Sequence, residues 1–308
     1  MRRRRFLAAT AALASRAAMA APSSAATAAP ALSFGLITDP QYADAEASGE
    51  RHYRATPEKL ERAVEFLASR QLPFTLQLGD FIDRDFRSFA ALLPILGRLG
   101  HPVRHLLGNH DFHVADTEKC RVAPLLGMPH DYYTFTHSGI RFAMLDTNDV
   151  SIYKYPPGPR TDAAKKELAR LKRAKRPCAN PWNGAVSPTQ LAWLRRTLDA
   201  ATAERQRVIV CGHHPILPAS PHLLWNHQAL LDLLLSRPCV GAYLCGHNHN
   251  GAYAERDGLH CITFRSMLHR PGKNAFSVVR LHPDRLVVEA HGRETPRDLP
   301  LRPLAGPG

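Results

Sequence analysis

Val103-Arg104-His105-Leu106-Leu107 runs directly into Gly108-Asn109-His110-Asp111. A short, mostly apolar run of this length reads as a buried strand. Its ending delivers an amide oxygen, an imidazole and a carboxylate to one rim of a sheet. Such rims, at the carboxyl ends of strands, are where open α/β sheets place their chemistry. Upstream, residues 32–38 (LSFGLIT) form a similar run ending in Asp39-Pro40-Gln41, and residues 73–78 (PFTLQL) one ending in Gly79-Asp80. Between the first two, Thr56-Pro57-Glu58 supplies an N-cap, a proline at the first helical position and an acid in the first turn. The helix it opens, to about Ser69, carries Leu60, Val64 and Leu67 on one face. Residues 86–99 predict a second helix, with Pro94 as a kink. The resulting β-α-β-α-β order predicts an α/β fold with parallel neighbours.

Downstream the pattern changes. Residues 132–136 and 141–146, separated by Ser138-Gly139, read as a hairpin. A Pro-rich segment, a basic helix over 162–175 and a further helix over 187–200 follow. Residues 207–211 predict a strand ending in Gly212-His213-His214-Pro215, and 225–236 a helix. Residues 240–245 predict a strand ending in Gly246-His247-Asn248-His249. The remainder reads as short strands over 252–255, 260–264, 276–281 and 286–291. They and the hairpin suggest a second sheet within one domain, and no internal repeat is evident.

Composition is that of a globular protein, with 44% apolar and 22% charged residues, and no interior stretch is long and apolar enough to span a membrane. Residues 1–31 read as an export signal and linker, and 32–308 as the domain. In the signal, Arg3-Arg4 precede Arg5-Phe6-Leu7 as in a twin-arginine leader, an Ala-rich run follows, and Ala18-Met19-Ala20 offers a cleavage site. Arg2 and Arg16 depart from that pattern, and an organelle transit peptide is the second reading. The expected location is periplasmic or extracellular. Setting aside the five arginines of that segment lowers the formal charge from +13 to +8. That balance favours anionic substrates without indicating nucleic acid. Cys211, Cys239, Cys245 and Cys261 lie in strand-like runs and read as core, whereas Cys120 and Cys178 could pair in an oxidising compartment.

Five apolar runs therefore end in metal-ligand chemistry: Asp39/Gln41, Asp80, Asn109/His110, His213 and His247/His249. Carboxylate, amide oxygen and imidazole suit Mn, Fe, Co or Zn, and the absence of thiolates argues against structural zinc. More ligands converge than one four-coordinate ion needs, so two ions are expected.

The order D-x-Q, GD, GNHD, GHHP, GHNH, from Phe34 to His249, resembles the calcineurin-like metallophosphoesterase superfamily. FGLITDPQYAD, LQLGDFID, WNGAVSPTQLAWL, WNHQALL, GHNHNGAY and HPDRL are similar to the manganese-dependent ADP-ribose/CDP-alcohol diphosphatases. The resemblance implies a four-layer α/β/β/α sandwich with a dimetal site at the strand ends. It implies cleavage of the pyrophosphate of nucleoside diphosphate derivatives by a metal-bridging hydroxide. By it, Asp39, Gln41, Asp80 and His249 would hold the first ion, and Asp80, Asn109, His213 and His247 the second. Gln41, a neutral oxygen donor where most of the superfamily has His, tilts the first site toward Mn²⁺ or Mg²⁺. His110 would face the phosphate, and Asp111 would orient its ring. Tyr42, Arg54 and Asn183 would bind substrate, Tyr42 by stacking and Arg54 by pairing with a phosphate.

His214 is expected to support the site, Asp83 to be structural or to support it, and His52, His105, His222, His227 and His269 to be packing. Two other readings fit the same residues. One is a phosphodiesterase or phosphomonoesterase of the superfamily, acting on cyclic nucleotides or phospholipid head groups. The other is a non-catalytic metal-binding scaffold. The expected partner is a small phosphorylated molecule, with no nucleic acid and no membrane insertion, and the expected state is a monomer.

Overall fold

A computed structural model describes residues 30–304. The expected leader and its cleavage site lie outside the described residues. In chain order, β1 (Leu32–Ile37) leads to α1 (Thr56–Ala68), β2 (Thr75–Leu78), α2 (Ser88–Gly97) and β3 (Val103–Leu106). A short α3 (Val122–Leu125) precedes the hairpin β4 (Tyr133–His137) and β5 (Ile140–Met144). Then come α4 (Pro159–Arg173), α5 (Pro188–Ala203), β6 (Arg207–Cys211), α6 (His227–Leu235) and β7 (Val240–Cys245). The chain closes with β8 (Ala252–Arg256), β9 (Leu259–Thr263), β10 (Ala275–Leu281), β11 (Arg285–Gly292) and β12 (Arg297–Pro300).

These strands make two six-stranded mixed sheets, ordered β12-β11-β10-β1-β2-β3 and β4-β5-β6-β7-β9-β8. The pairs β1–β2 and β2–β3 are parallel, as are β5–β6, β6–β7 and β7–β9. The two halves of the α/β pattern thus lie in different sheets, and the C-terminal strands divide between them. The strand β12 is one the sequence did not suggest: RDLP carries no alternation, and it is held by pairing with β11.

The sheets face each other across an apolar interior. Phe34, Phe74, Leu36 and Leu76 of the first sheet meet Phe142, Met144, Ile209 and Leu244 of the second. Phe34 stacks on Phe74 at 5.2 Å between centroids and meets Phe142 edge-on at 5.4 Å. Truncating a buried phenylalanine such as these costs about 3–5 kcal/mol. On the outer face of the first sheet, Leu60, Val64 and Leu67 of α1 and Leu92 and Leu96 of α2 cover a second core. On the outer face of the second, Leu194 and Leu198 of α5 and Leu230, Leu231 and Leu234 of α6 cover a third. The result is the expected α/β/β/α sandwich. Pro94 sits inside α2. The basic helix α4 buries Ala164, Leu168 and Leu171 and leaves its lysines and arginines largely outward. Cys120 is exposed and Cys178 buried, and both are free thiols; the other four cysteines are buried as expected.

Candidate metal centre

The carboxyl ends of β1, β2, β3, β6 and β7 meet at one rim, and the local sequence explains how. A Cβ on Gly108 would stand 2.1 Å from Asp80 Oδ1, and one on Gly246 2.4 Å from Asp39 Oδ2. Each glycine lets its loop lie directly on a ligand from another strand. Asp39, Gln41, Asp80 and His247 themselves adopt left-handed backbone, with φ of 48°, 48°, 50° and 67°. Such residues cost roughly 1–3 kcal/mol each and cluster where function over-determines the backbone.

Ligand atoms of Asp80, His213 and His247 lie within 4.8 Å of one another, as do those of Asp39, Asp80 and His249. Asp80 belongs to both groups, the position of a bridging carboxylate. The buried atoms without a hydrogen-bond partner among the described residues include Gln41 Oε1, Asp80 Oδ2, Asn109 Oδ1 and His213 Nε2. Asp80 Oδ2 and His213 Nε2 face each other at 3.3 Å, and the two amide oxygens beside them stay unpaired. A buried polar atom left unpaired costs about 1–3 kcal/mol, so this set at one rim fits a cation site better than a packed core. These donors fit a pair of divalent ions.

Each imidazole is turned by a bond at its other nitrogen, as metal-ligating histidines commonly are. His213 Nδ1 donates to Leu78 O at 2.8 Å, leaving Nε2 toward Asp80 Oδ2 at 3.3 Å. His249 Nδ1 lies 2.8 Å from His269 Nε2, leaving its own Nε2 3.6 Å from Asp39 Oδ1. His247 Nε2 lies 2.9 Å from Asn183 Oδ1, so it carries the proton and Nδ1 is the free donor atom. Burial, with neighbouring histidines, holds His247 far below its usual range and does the same to His249 with His269 and Arg51. Both are neutral at neutral pH, the form that binds metal. Burial also opposes protonation of His213, but Asp80 and Asp39 outweigh it and raise the imidazole to about 9. Burial raises Asp39 to about 7.

The pocket over these ligands, about 370 Å³, is lined by Arg51, His110, His113, Trp182 and His222 as well as ligand residues. His110 lines this pocket, and the carboxylate beside its ring is not the expected one. Asp111 is buried, and its carboxylate accepts from Phe81 N (2.8 Å), Ile82 N (3.1 Å) and Gly108 N (2.9 Å). It pins the loops after β2 and β3 together instead of orienting His110. The carboxylate against the ring is Asp83, whose Oδ1 lies 2.9 Å from His110 Nδ1 and 3.2 Å from His113 Nδ1. Asp83 also accepts from Gln41 Nε2 at 3.3 Å, turning Gln41 Oε1 toward the site. Burial opposes ionisation of Asp83, and the two imidazoles outweigh it, holding its carboxyl well below the usual range.

None of the three substrate residues expected from the sequence lines the metal pocket. Tyr42 is half-buried against the core under α1 and α2 and lines a separate surface cavity with Arg84 and Arg87. Arg54 is exposed and ion-paired with Asp44 and Glu46, and Arg51, three residues earlier, reaches the pocket. Asn183 is fully buried: its amide donates to Cys178 O and Pro221 O, and its oxygen fixes His247. His214 supports the rim as expected, bonded to Thr147 and to Trp182 O. His222 and His269, expected as packing, are pocket wall and ligand support. They come from loops nine residues after His213 and twenty after His249, and no motif spacing marks them. Trp182, 42% exposed, was visible only as the first residue of the WNGA stretch.

Removing Asn183 tests its new role. Asn183→Ala is expected to weaken binding of the second ion about 10- to 100-fold, with the first ion's affinity little changed. Metal titration followed by calorimetry checks it, and equal loss at both sites would contradict the assignment.

Two carboxylates, two amide oxygens and three oriented imidazoles thus converge at one rim, a donor set that suits two divalent ions. The chain belongs to the calcineurin-like phosphoesterase family, whose model matches residues 32–251. Relatives named manganese-dependent ADP-ribose/CDP-alcohol diphosphatase include that of Xenopus tropicalis, 30% identical over 89% of this chain and 95% of the relative. The Arabidopsis thaliana protein of that name is 32% identical over 83% and 93%. A crystal structure of a dimetal phosphatase from Danio rerio superposes with a TM-score of 0.80 at 26% identity, covering 89% of this chain and all of that one.

Proposed function

We propose that this protein hydrolyses the pyrophosphate of nucleoside diphosphate derivatives such as ADP-ribose and CDP-alcohols, using two Mn²⁺ ions. Asp39, Gln41, Asp80 and His249 would hold the first ion, and Asp80, Asn109, His213 and His247 the second. The observation that carries this reading is the set of unpartnered buried donor atoms around Asp80, joined to the names of relatives matched over most of their length. When bound, the ions supply Lewis-acid polarisation of the phosphoryl oxygens and a water of lowered pKa. His110, its Nδ1 against Asp83, presents Nε2 to the pocket and protonates the leaving oxygen or stabilises its charge. Arg51 meets the second phosphate from the pocket wall, and the Trp182 indole offers the base a stacking surface.

Turnover of ADP-ribose and CDP-choline with Mn²⁺, set against bis-p-nitrophenyl phosphate, tests the substrate class. Rapid diester cleavage with no pyrophosphate activity would overturn it in favour of a phosphodiesterase. Trp182→Ala is expected to raise KM for ADP-ribose roughly tenfold, from the ~1–3 kcal/mol of base–aromatic stacking, with kcat little changed.

We also propose export by the twin-arginine route, which suits a protein that folds and takes up metal before crossing a membrane. Replacing Arg3 and Arg4 by lysine would then retain the protein inside the cell. Unchanged export would sink the idea.

A further inference from the structure

A second cavity, about 550 Å³, shares no lining residue with the metal pocket. The two meet at one hydrogen bond: His249 lines the metal pocket, and its partner His269 lines the second cavity. Four fixed cations, Arg265, Arg270, Lys273 and Arg293, face this cavity with one carboxylate, Glu50. Glu50 is taken by Arg270 at 2.9 Å. Arg265 has no carboxylate partner among the described residues, and its buried Nε has no hydrogen-bond partner there. Arg293 donates from Nη2 to Ser266 O at 2.6 Å, and its buried Nε is likewise unpartnered.

The nearby acid, Glu294, acts on Arg265 and Arg293 through space but forms no ion pair with them among the described residues. Glu294 is buried, and its oxygens accept from the backbone amides of Arg265 (2.7 Å) and Thr295 (2.8 Å). Behind the wall, the Lys59 ammonium is buried on Met267 O and His269 O, adding a further positive charge. Burial, with Arg265 and Arg270, pulls Arg293 below the ordinary guanidinium range, the mark of cations held close together.

Solvated surface arginines spread apart and hydrate their guanidinium nitrogens. Here four cations line one cavity, and two of them, Arg265 and Arg293, are held partly buried with like charges for neighbours, which is costly unless an anion completes the set. Guanidinium forks match phosphate oxygens bidentately. With Lys59 added to the four cations and Glu50 and Glu294 set against them, a surplus of three charges remains, which favours a dianion over a single carboxylate. We propose that this cavity is a binding site for a phosphate-class dianion, separate from the metal pocket. It does not depend on which substrate the metal centre cleaves.

Calorimetric titration of the Mn²⁺-loaded full chain with inorganic phosphate tests it. Wild type is expected to bind two phosphates per chain, one at the metals and one here. Arg265→Ala should bind one, or bind the second at least tenfold more weakly. Lys273→Glu, an exposed change, should do the same and serves if Arg265→Ala fails to fold. Adenosine 3′,5′-bisphosphate separates two sources of the anion. If the cavity takes the far phosphate of a ligand seated at the metals, this nucleotide displaces both phosphates and Arg265→Ala weakens it tenfold. If the cavity takes free phosphate, the nucleotide displaces only one. Either result supports the site. Equal phosphate stoichiometry and affinity in wild type and both variants would overturn it.

Discussion

Asp80→Ala is expected to lower metal content from near two ions per chain to one or none, and turnover on the order of 10³-fold or more. The reason is position: the Asp80 carboxylate belongs to both groups of ligand atoms, so its loss removes a donor from each. Its Oδ1 also accepts from His110 N at 2.8 Å, so the loop carrying His110 loosens with it, and an unsatisfied buried amide costs about 1–3 kcal/mol. Asp80→Asn keeps the shape and that hydrogen bond and removes the charge. It should lose metal comparably while unfolding near the wild-type temperature. Elemental analysis and thermal unfolding of the two variants check this; two retained ions in both would disprove the bridging assignment.

His110→Ala is expected to act in the opposite manner. Metal content stays near two, because His110 belongs to neither group around Asp80. Turnover falls about 10²- to 10⁴-fold, the range for losing a positioned proton donor. If the role is protonation of the leaving oxygen, the loss shrinks for a p-nitrophenolate leaving group, which needs no proton. Asp83→Asn should reproduce part of the defect, roughly tenfold, through the ring it positions. Asp111→Ala should instead lower thermal stability, since it unpins three backbone amides. A larger metal loss than activity loss in His110→Ala would contradict this division.

The metal centre was legible in the sequence because each candidate ligand directly follows an apolar run. Strand ends of parallel neighbours share a rim, so chain order alone brought Asp39, Asp80 and Asn109 together, and likewise His213 and His247. What sets the ligands' direction was not legible. Asn183, Asp83 and His269 reach their partners through loops whose course depends on tertiary packing, and their residue types are as common in turns as in sites. Asp111 is next to His110 in sequence, but its side chain is not next to the ring. The short helical turn over His110–Phe112 instead sends it into the protein. Tyr42 likewise stands away from the rim: the left-handed turn at Gln41 and the bridge of Tyr42 to Ile82 put its ring against the helix-side core. The fold class followed from the β-α-β pattern, but the division into two sheets did not. Nothing local says that β10 joins β1 while β9 joins β7.

That pairing has a consequence for the order in which the molecule can be made. β1 pairs with β10 in a register joining Leu32 to Leu281, so the first strand synthesised gains one of its two neighbours only near the end of translation. Until then the edge that carries Asp39 is open, apolar and free to pair wrongly. A nascent chain can pair β1 with β2, but the edge of β1 that faces β10 stays open until the last strands are made. The ligand His249 and its support His269 also lie late in the chain, so completion of the metal centre comes late, as does this long-range closure. A protein built this way is sensitive to what protects it between the ribosome and that closure.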